Sequence, residues 1–350
     1  MQLKRLHEQV IVLTGATTGI GLVTARLAAR RGARLSLAAR SEEALDELVA
    51  ELRQQGCDAI HTVTDVGSEA DVRRLAEATV AHFGGFDTWV NNAAAAIYGN
   101  LEDVPLEDQR RLFDTNFWGM VHGSLVACEH LRQRGGKLIN VGSVLSERAI
   151  PVQGIYSASK AAVLGYTDAL RMELEQAGAP VSVTLIKPAA IDTPYQDHAA
   201  NYTYRGPKNP PPVYAPETVA RAIFHAAEHQ EREIVVGGGG KAVTTLGNAA
   251  PRLADKVMSH LMPWMQHSRE RLSHTTRGAL YEPRNVLEER GGYGFTLEHS
   301  LYAMLMRHRT ATTALLLGAG LSYYLVRRLS PVPRIRRPRP ALVPRSWPLD

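Results

Sequence analysis

The stretch Tyr156-Ser157-Ala158-Ser159-Lys160 carries two chemistries in five residues. From Ser157 it reads S-x-x-K, the arrangement of a serine acyl-transfer nucleophile. From Tyr156 it reads Y-x-x-x-K, a phenol and an ammonium on one helical face, where the charge favours phenolate and brings a tyrosine pKa of about 10 toward general acid/base range. The rest of the chain decides between them. An acyltransferase of the penicillin-binding type needs S-D-N and K-T-G elements, and neither occurs, nor does a G-x-S-x-G elbow. Ser143, by contrast, stands thirteen residues before Tyr156 at the end of the apolar run "INVGS". Its hydroxyl can hydrogen-bond a carbonyl oxygen, and Lys160 can also reach ribose hydroxyls. The set suits hydride transfer with proton relay, leaving Ser157 and Ser159 as helix-start residues.

A second pattern, "HAAEH" at residues 225–229, matches the inverted zincin motif. His225 and His229 would share a helix face, but no third ligand is evident, so the segment reads as a solvated helix face and no metal is expected.

These side chains need a frame. Short Val/Ile/Leu runs at Val10–Thr14, Arg34–Ala38, Ala59–Thr64, Phe86–Asn91, Lys137–Val141, Val181–Lys187 and Glu233–Val236 alternate with amphipathic segments. The helical segments are Leu22–Arg31, Glu42–Gln54, Glu69–Phe83, Arg111–Gln133, Tyr156–Gln176 and Pro216–Gln230. Strands apolar on both faces and joined by helices predict an α/β fold, a Rossmann-type doubly wound parallel sheet of about seven strands. Ligands then bind at the carboxyl ends of the strands.

The first strand runs into "TGATTGIG", residues 14–21, and then a helix. Gly15 allows a sharp turn, Gly19 lets backbone approach a pyrophosphate, and Gly21 permits close helix packing. The helix N-terminus supplies amides and positive dipole to phosphates. No Lys-Ser/Thr follows the last glycine, which excludes a Walker loop. The second strand ends at Ala39-Arg40-Ser41, where an acid would accept from a free ribose 2′-hydroxyl. A guanidinium and a hydroxyl suit a 2′-phosphate instead, so NADP(H) is expected over NAD(H). Asp65, after the third strand, falls where an adenine would lie, and Asn91-Asn92-Ala93, after the fourth, where a nicotinamide ribose would.

With these residues in place, residues 8–240 resemble the short-chain dehydrogenase/reductase family. The family's cofactor motif is similar to Thr14-Gly15-x3-Gly19-Ile20-Gly21, and its N-N-A-G motif to Asn91-Asn92-Ala93-Ala94, alanine replacing glycine. Its tetrad maps onto Asn116, Ser143, Tyr156 and Lys160. The resemblance implies that Asn116 kinks its helix and holds a water through its backbone carbonyl, connecting Lys160 to solvent. Pro188–Thr193, "PAAIDT", is similar to the family's P-G-x-x-x-T segment, with Ala189 in place of glycine. The implied cofactor-binding set is Thr14, Gly15, Thr17, Thr18, Gly19, Ile20, Gly21, Arg40, Ser41, Asp65, Val66, Asn91, Ala93, Tyr156, Lys160, Pro188, Ile191 and Thr193. The implied activity is an NADP(H)-dependent alcohol dehydrogenase or carbonyl reductase, in a homo-oligomer. The alternatives are an NAD-dependent alcohol dehydrogenase and a non-catalytic nucleotide-binding scaffold of the same fold. Residues 189–215, a long loop with four tyrosines, would cap a lipophilic carbonyl or alcohol substrate.

At 350 residues the chain exceeds one such domain. Two cysteines cannot frame a disulfide scaffold, and the N-terminus has no apolar signal region, so a cytoplasmic enzyme is expected. The net charge of +5 lies almost wholly in a tail with Arg334, Arg336, Arg337, Arg339 and Arg345, which argues against a nucleic-acid-binding face. The expected divisions are a dinucleotide-binding catalytic domain at 1–240, a helical or irregular extension at 241–309, an apolar helix at 310–329 and a disordered Pro/Arg-rich tail at 330–350. Residues 310–326 carry no charge and would span about 26 Å as a helix, at the short end of what a bilayer requires. Attachment to a membrane through this segment is one expectation, packing on the enzyme or a partner subunit a second, and disorder a third.

Overall fold

The computed structural model describes residues 3–239, 247, 249–300 and 322–323. The chain divides into two compact units, Met1–Met304 and Leu305–Asp350, and the architecture below is that of the first. The apolar segment 310–326 lies outside the described residues except for Ser322 and Tyr323. Among the described residues no helix is long and apolar enough to cross a membrane.

A seven-stranded parallel sheet forms the centre. Its strands in chain order are β1 (Val10–Thr14), β2 (Arg34–Ala39), β3 (Ala59–Val63), β4 (Thr88–Asn91), β6 (Gly136–Val141), β7 (Val181–Pro188) and β10 (Glu233–Val236). The spatial order is β10-β7-β6-β4-β1-β2-β3, so the direction of progression reverses between β1 and β4. Such a switch point opens a crevice above the strand ends. Strand pleating sends alternate side chains to opposite faces. Ile11 and Leu13 therefore join one core with α1 (Gly19–Arg30), α2 (Glu42–Gln54) and α8 (Pro216–Glu228). Val10 and Val12 join the other, with α3 (Glu69–Phe83), α5 (Gly119–Arg134) and α6 (Gly154–Gln176).

The expected strands are all present, their ends shifted by at most two residues. The expected helix Arg111–Gln133 is different: α4 (Leu106–Phe113) passes through a π-helical turn, Asp114–Trp118, into α5. The wider turn surrounds Asn116, whose amide bonds to both the amide and the carbonyl of Ala95. Helix α1 also begins earlier than expected, at Gly19.

Beyond β7 the chain builds a cover over the strand ends. Helix α7 (Tyr195–His198) leads into β8 (Ala200–Asn201), which pairs with β5 (Ile97–Tyr98). β9 (Arg205–Pro207) pairs antiparallel with β11 (His267–Arg271), which follows α9 (Pro251–Gln266). Residues 251–300 thus pack on the cavity-bearing edge of the sheet.

Candidate active site

A cavity of about 610 Å³ lies at the carboxyl ends of the strands, with the glycine turn in one wall and Tyr156 in another. Its lining includes Gly15, Thr17, Thr18, Gly19, Ile20, Gly21, Arg40, Ser41, Asp65, Val66, Ala93, Ser143, Tyr156, Lys160, Pro188, Ile191 and Thr193. Several strands and the turns after them are needed to bring these residues together.

The glycines are required by space. Gly15 and Gly19 take left-handed φ values of 67° and 52°, which side chains disfavour. A Cβ on Gly15 would approach the Ala93 backbone to 2.8 Å, and one on Gly19 would meet Thr193 at 3.0 Å. Close approach of backbone to the cavity, together with the first turn of α1 in its wall, fits the pyrophosphate of a dinucleotide. The close backbone approach and the helix start thus suit the cofactor that the sequence implies, the Gly19 amide itself being taken by the Glu288 carbonyl.

Three expected residues stand behind the lining. Thr14 Oγ1 accepts from the Asn92 and Ala93 amides and donates to the Val90 carbonyl, shaping the loop after β4. The Asn91 side chain turns into the core, where its oxygen accepts from Trp89 Nε1 and its nitrogen donates to Met120 O, Ser124 Oγ and Asn140 Oδ1. Strand alternation explains this, since Asn92 is the neighbour that reaches the turn, donating to the Thr14 and Gly15 carbonyls. Asn116, also buried, donates to Ser159 Oγ as well as bracing Ala95. Its π turn matches the helix irregularity implied by the family resemblance.

Ser143 and Tyr156 are both buried, Ser143 Oγ accepts from the Leu145 amide, and Ser143 lies close enough to act on the Tyr156 phenol. Lys160 Nζ donates to the Val141 carbonyl at 3.0 Å and sits 5.8 Å from the Tyr156 ring centroid. Burial pushes the Lys160 ammonium down to about 8. The expectation that Lys160 draws the Tyr156 pKa down is not met in the chain alone. Burial raises the phenol, and the neighbouring hydroxyls of Tyr195 and Ser143 return only part of that shift. Ser157 Oγ donates to Gln153 O within the helix. His225 and His229 stack at 4.2 Å, and the described residues contain no group of three His/Cys/Asp/Glu able to hold a metal.

Tyr195, from the loop expected to cap the substrate, lines the wall, whereas Gln153 and Gln266 were not anticipated. Tyr195 OH donates to Gln153 Oε1, and Gln153 Nε2 to Gln266 Oε1, so α7, the start of α6 and α9 share one buried polar chain beside Tyr156. Leu145, Ile150, Leu261, Met262 and Met265 supply an apolar end. The proximity of Gln153 to Tyr156 was a signal for the first; nothing local in the sequence points residues of α9 toward this cavity.

Comparison with known proteins agrees with this geometry. The short chain dehydrogenase profile matches residues 9–202. The uncharacterized oxidoreductase YxnA of Bacillus subtilis (strain 168) is 46% identical over 91% of this chain and 90% of its own length. An 11-beta-hydroxysteroid dehydrogenase A of Arachis hypogaea is 40% identical over 53% of each chain. The solved alcohol dehydrogenase of the archaeon Thermococcus sibiricus, complexed with 5-hydroxy-NADP, superposes with a TM-score of 0.58 at 26% identity, covering 65% of this chain and 95% of that one. A doubly wound sheet, a glycine turn at its switch point and this extent of similarity make the chain a member of the short-chain dehydrogenase family, oxidoreductases acting on CH–OH groups with NAD(P).

Proposed function

We propose that the protein is an NADP(H)-dependent oxidoreductase that interconverts a lipophilic alcohol and its ketone or aldehyde, with Tyr156 as general acid/base. The observation that carries this reading is the convergence of Ser143, Tyr156 and Lys160 on the cavity that the glycine turn also lines. The nicotinamide cofactor, when bound, supplies or accepts the hydride. Ser143 Oγ holds the substrate oxygen by a hydrogen bond. Tyr156 gives its phenolic proton to that oxygen in reduction and takes it back in oxidation. Lys160, buried and anchored on Val141 O, provides a positive charge on the same helix face and a donor for ribose hydroxyls. Asn116 braces the loop at Ala95, keeping the strand-end backbone in register with α6.

The apolar end of the cavity supports a lipophilic substrate, and the Arachis hypogaea relative's name supports steroid-sized alcohols among the first compounds to try. Arg40 and Ser41 at the β2 tip support NADP(H), as does the 5-hydroxy-NADP in the archaeal neighbour. The test is Tyr156→Phe assayed against ketosteroids, retinoids and simple carbonyls with NADPH. Turnover should fall by about 10²–10⁴-fold while NADPH affinity stays within a few-fold. A variant that keeps near-normal turnover refutes the assignment.

A further inference from the structure

Residues 277–289 run along the nucleotide side of the cavity and are tied there largely through their backbone. Arg40 Nη1 donates to the carbonyls of Leu280 (3.1 Å) and Tyr281 (2.9 Å), and Nη2 to that of Ala279. Ser41 Oγ donates to Asn285 Oδ1, and Asn285 Nδ2 to Glu43. Further along, the Gly19 amide donates to Glu288 O at 2.8 Å, and Arg26 pairs with Glu289. The segment therefore spans from the tip of β2 to the glycine turn. Tyr281 OH adds a bond to the buried Asp108.

The charge at this wall is mixed: Asp65 and Glu282 act on Arg40, but Asp65 is paired with Arg111, and among the described residues no carboxylate forms an ion pair with Arg40. Carbonyl oxygens satisfy three donors of Arg40 without neutralising it, and the guanidinium has five. Arg284 lines the same cavity and makes no hydrogen bond or ion pair among the described residues. His198, from α7, also lines it, and its Nε2 is buried without a hydrogen-bond partner. Arg284 and Arg40 both act on this imidazole, as do the carboxylates of Glu288 and Asp197, so these groups share one neighbourhood. Two guanidinium groups, neither in an ion pair among the described residues, stand with an unsatisfied ring nitrogen and so leave donors for a multiply charged anion.

We propose that Arg284 is a specificity-determining residue of the dinucleotide site, meeting with Arg40 the additional phosphate of a 2′-phosphorylated cofactor, and that residues 277–289 form the fixed wall of this subsite. The inference rests on the dinucleotide reading above. A phosphate monoester carries close to two negative charges and three acceptor oxygens near neutral pH, enough to engage both guanidinium groups. A free ribose 2′-hydroxyl offers neither, so the wall discriminates between the two cofactors.

The experiment uses the full-length chain with Arg284→Gln and Arg284→Lys, titrated calorimetrically with 2′,5′-ADP and 5′-AMP, and with NADPH and NADH by fluorescence. Arg284→Gln should weaken 2′,5′-ADP and NADPH about tenfold or more, the loss expected for one charge-assisted bond, and leave 5′-AMP and NADH within about twofold. Arg284→Lys should recover part of the loss, and Arg284→Gln should flatten the salt dependence of 2′,5′-ADP binding. Arg284 is exposed, so unchanged thermal unfolding of both variants is expected and checks that the loss is local. Wild-type-like 2′,5′-ADP affinity in Arg284→Gln, or equal loss for both mononucleotides, overturns the proposal while leaving the oxidoreductase reading intact. A wild-type chain that binds neither NADPH nor NADH overturns both.

Discussion

A Cβ on Gly21 would stand 1.9 Å from the carbonyl oxygen of Gly15, and that oxygen has little room to retreat because Asn92 Nδ2 donates to it at 3.1 Å. The turn after β1, the start of α1 and the loop after β4 are therefore locked at a single contact.

Gly21→Ala should cost roughly 3 kcal/mol of stability through forced displacement of backbone, and NADPH affinity should fall with it. Gly165→Ala is the control. Gly165 lies in α6 with nothing within 4 Å of where a Cβ would stand, so this change should be neutral or stabilise by up to about 1 kcal/mol. Urea unfolding of both variants checks the contrast; equal effects would remove the special status of Gly21.

Lys160 links stability to pH in a defined direction. Its folded pKa is lowered to about 8 by burial, against an ordinary value of 10.5. The folded state thus binds fewer protons than the unfolded chain between these values, and the wild type gains stability as pH rises through that window. Below about pH 8 the full penalty for the buried charge, about 3 kcal/mol, is in force. Lys160→Met should therefore be more stable than the wild type at pH 7, the difference shrinking toward pH 10, while turnover is lost. Unfolding free energies at the two pH values test this, and a pH-independent difference would contradict it.

Lys187 is almost fully buried at the end of β7 and pairs with Glu233 of β10 at 2.5 Å and with Glu147. Glu147 follows closely on Ser143, so the ammonium ties the loop after β6 to two strands. Lys187→Met leaves two carboxylates without this cation and should cost about 3 kcal/mol, at the low end for a broken buried pair because Glu233 is partly exposed. The double variant Lys187→Met/Glu233→Gln should recover part of the loss. A urea midpoint unchanged in the single variant would show that the pair contributes little.

The sheet was legible because its strands are uninterrupted apolar runs, and the glycine turn and the Ser143/Tyr156/Lys160 set because each falls where such a strand ends or just beyond. Other features had no local signature. Residues 277–289 are held by the carbonyls of Ala279, Leu280, Tyr281 and Glu288, and a backbone oxygen looks the same in any sequence. The inward turn of Asn91 follows from the pleat, which the motif letters do not display. The π turn at Asn116 answers a bond to Ala95 made across a loop, whereas helical periodicity records only near neighbours. The raised phenol of Tyr156 reflects the depth of the cavity rather than the Tyr-Lys spacing.

The bond between the Gly19 amide and the Glu288 carbonyl has a consequence for the order of synthesis. Strand β1 and the glycine turn leave the ribosome before the other strands of the sheet, yet the segment that meets them is translated only after all of these strands. A nascent chain can assemble its strands as they emerge, but its nucleotide groove stays one-sided until residue 288 is made. On the proposal that this segment walls the cofactor site, full nucleotide affinity is acquired only once residue 288 has been added, later than every strand of the sheet.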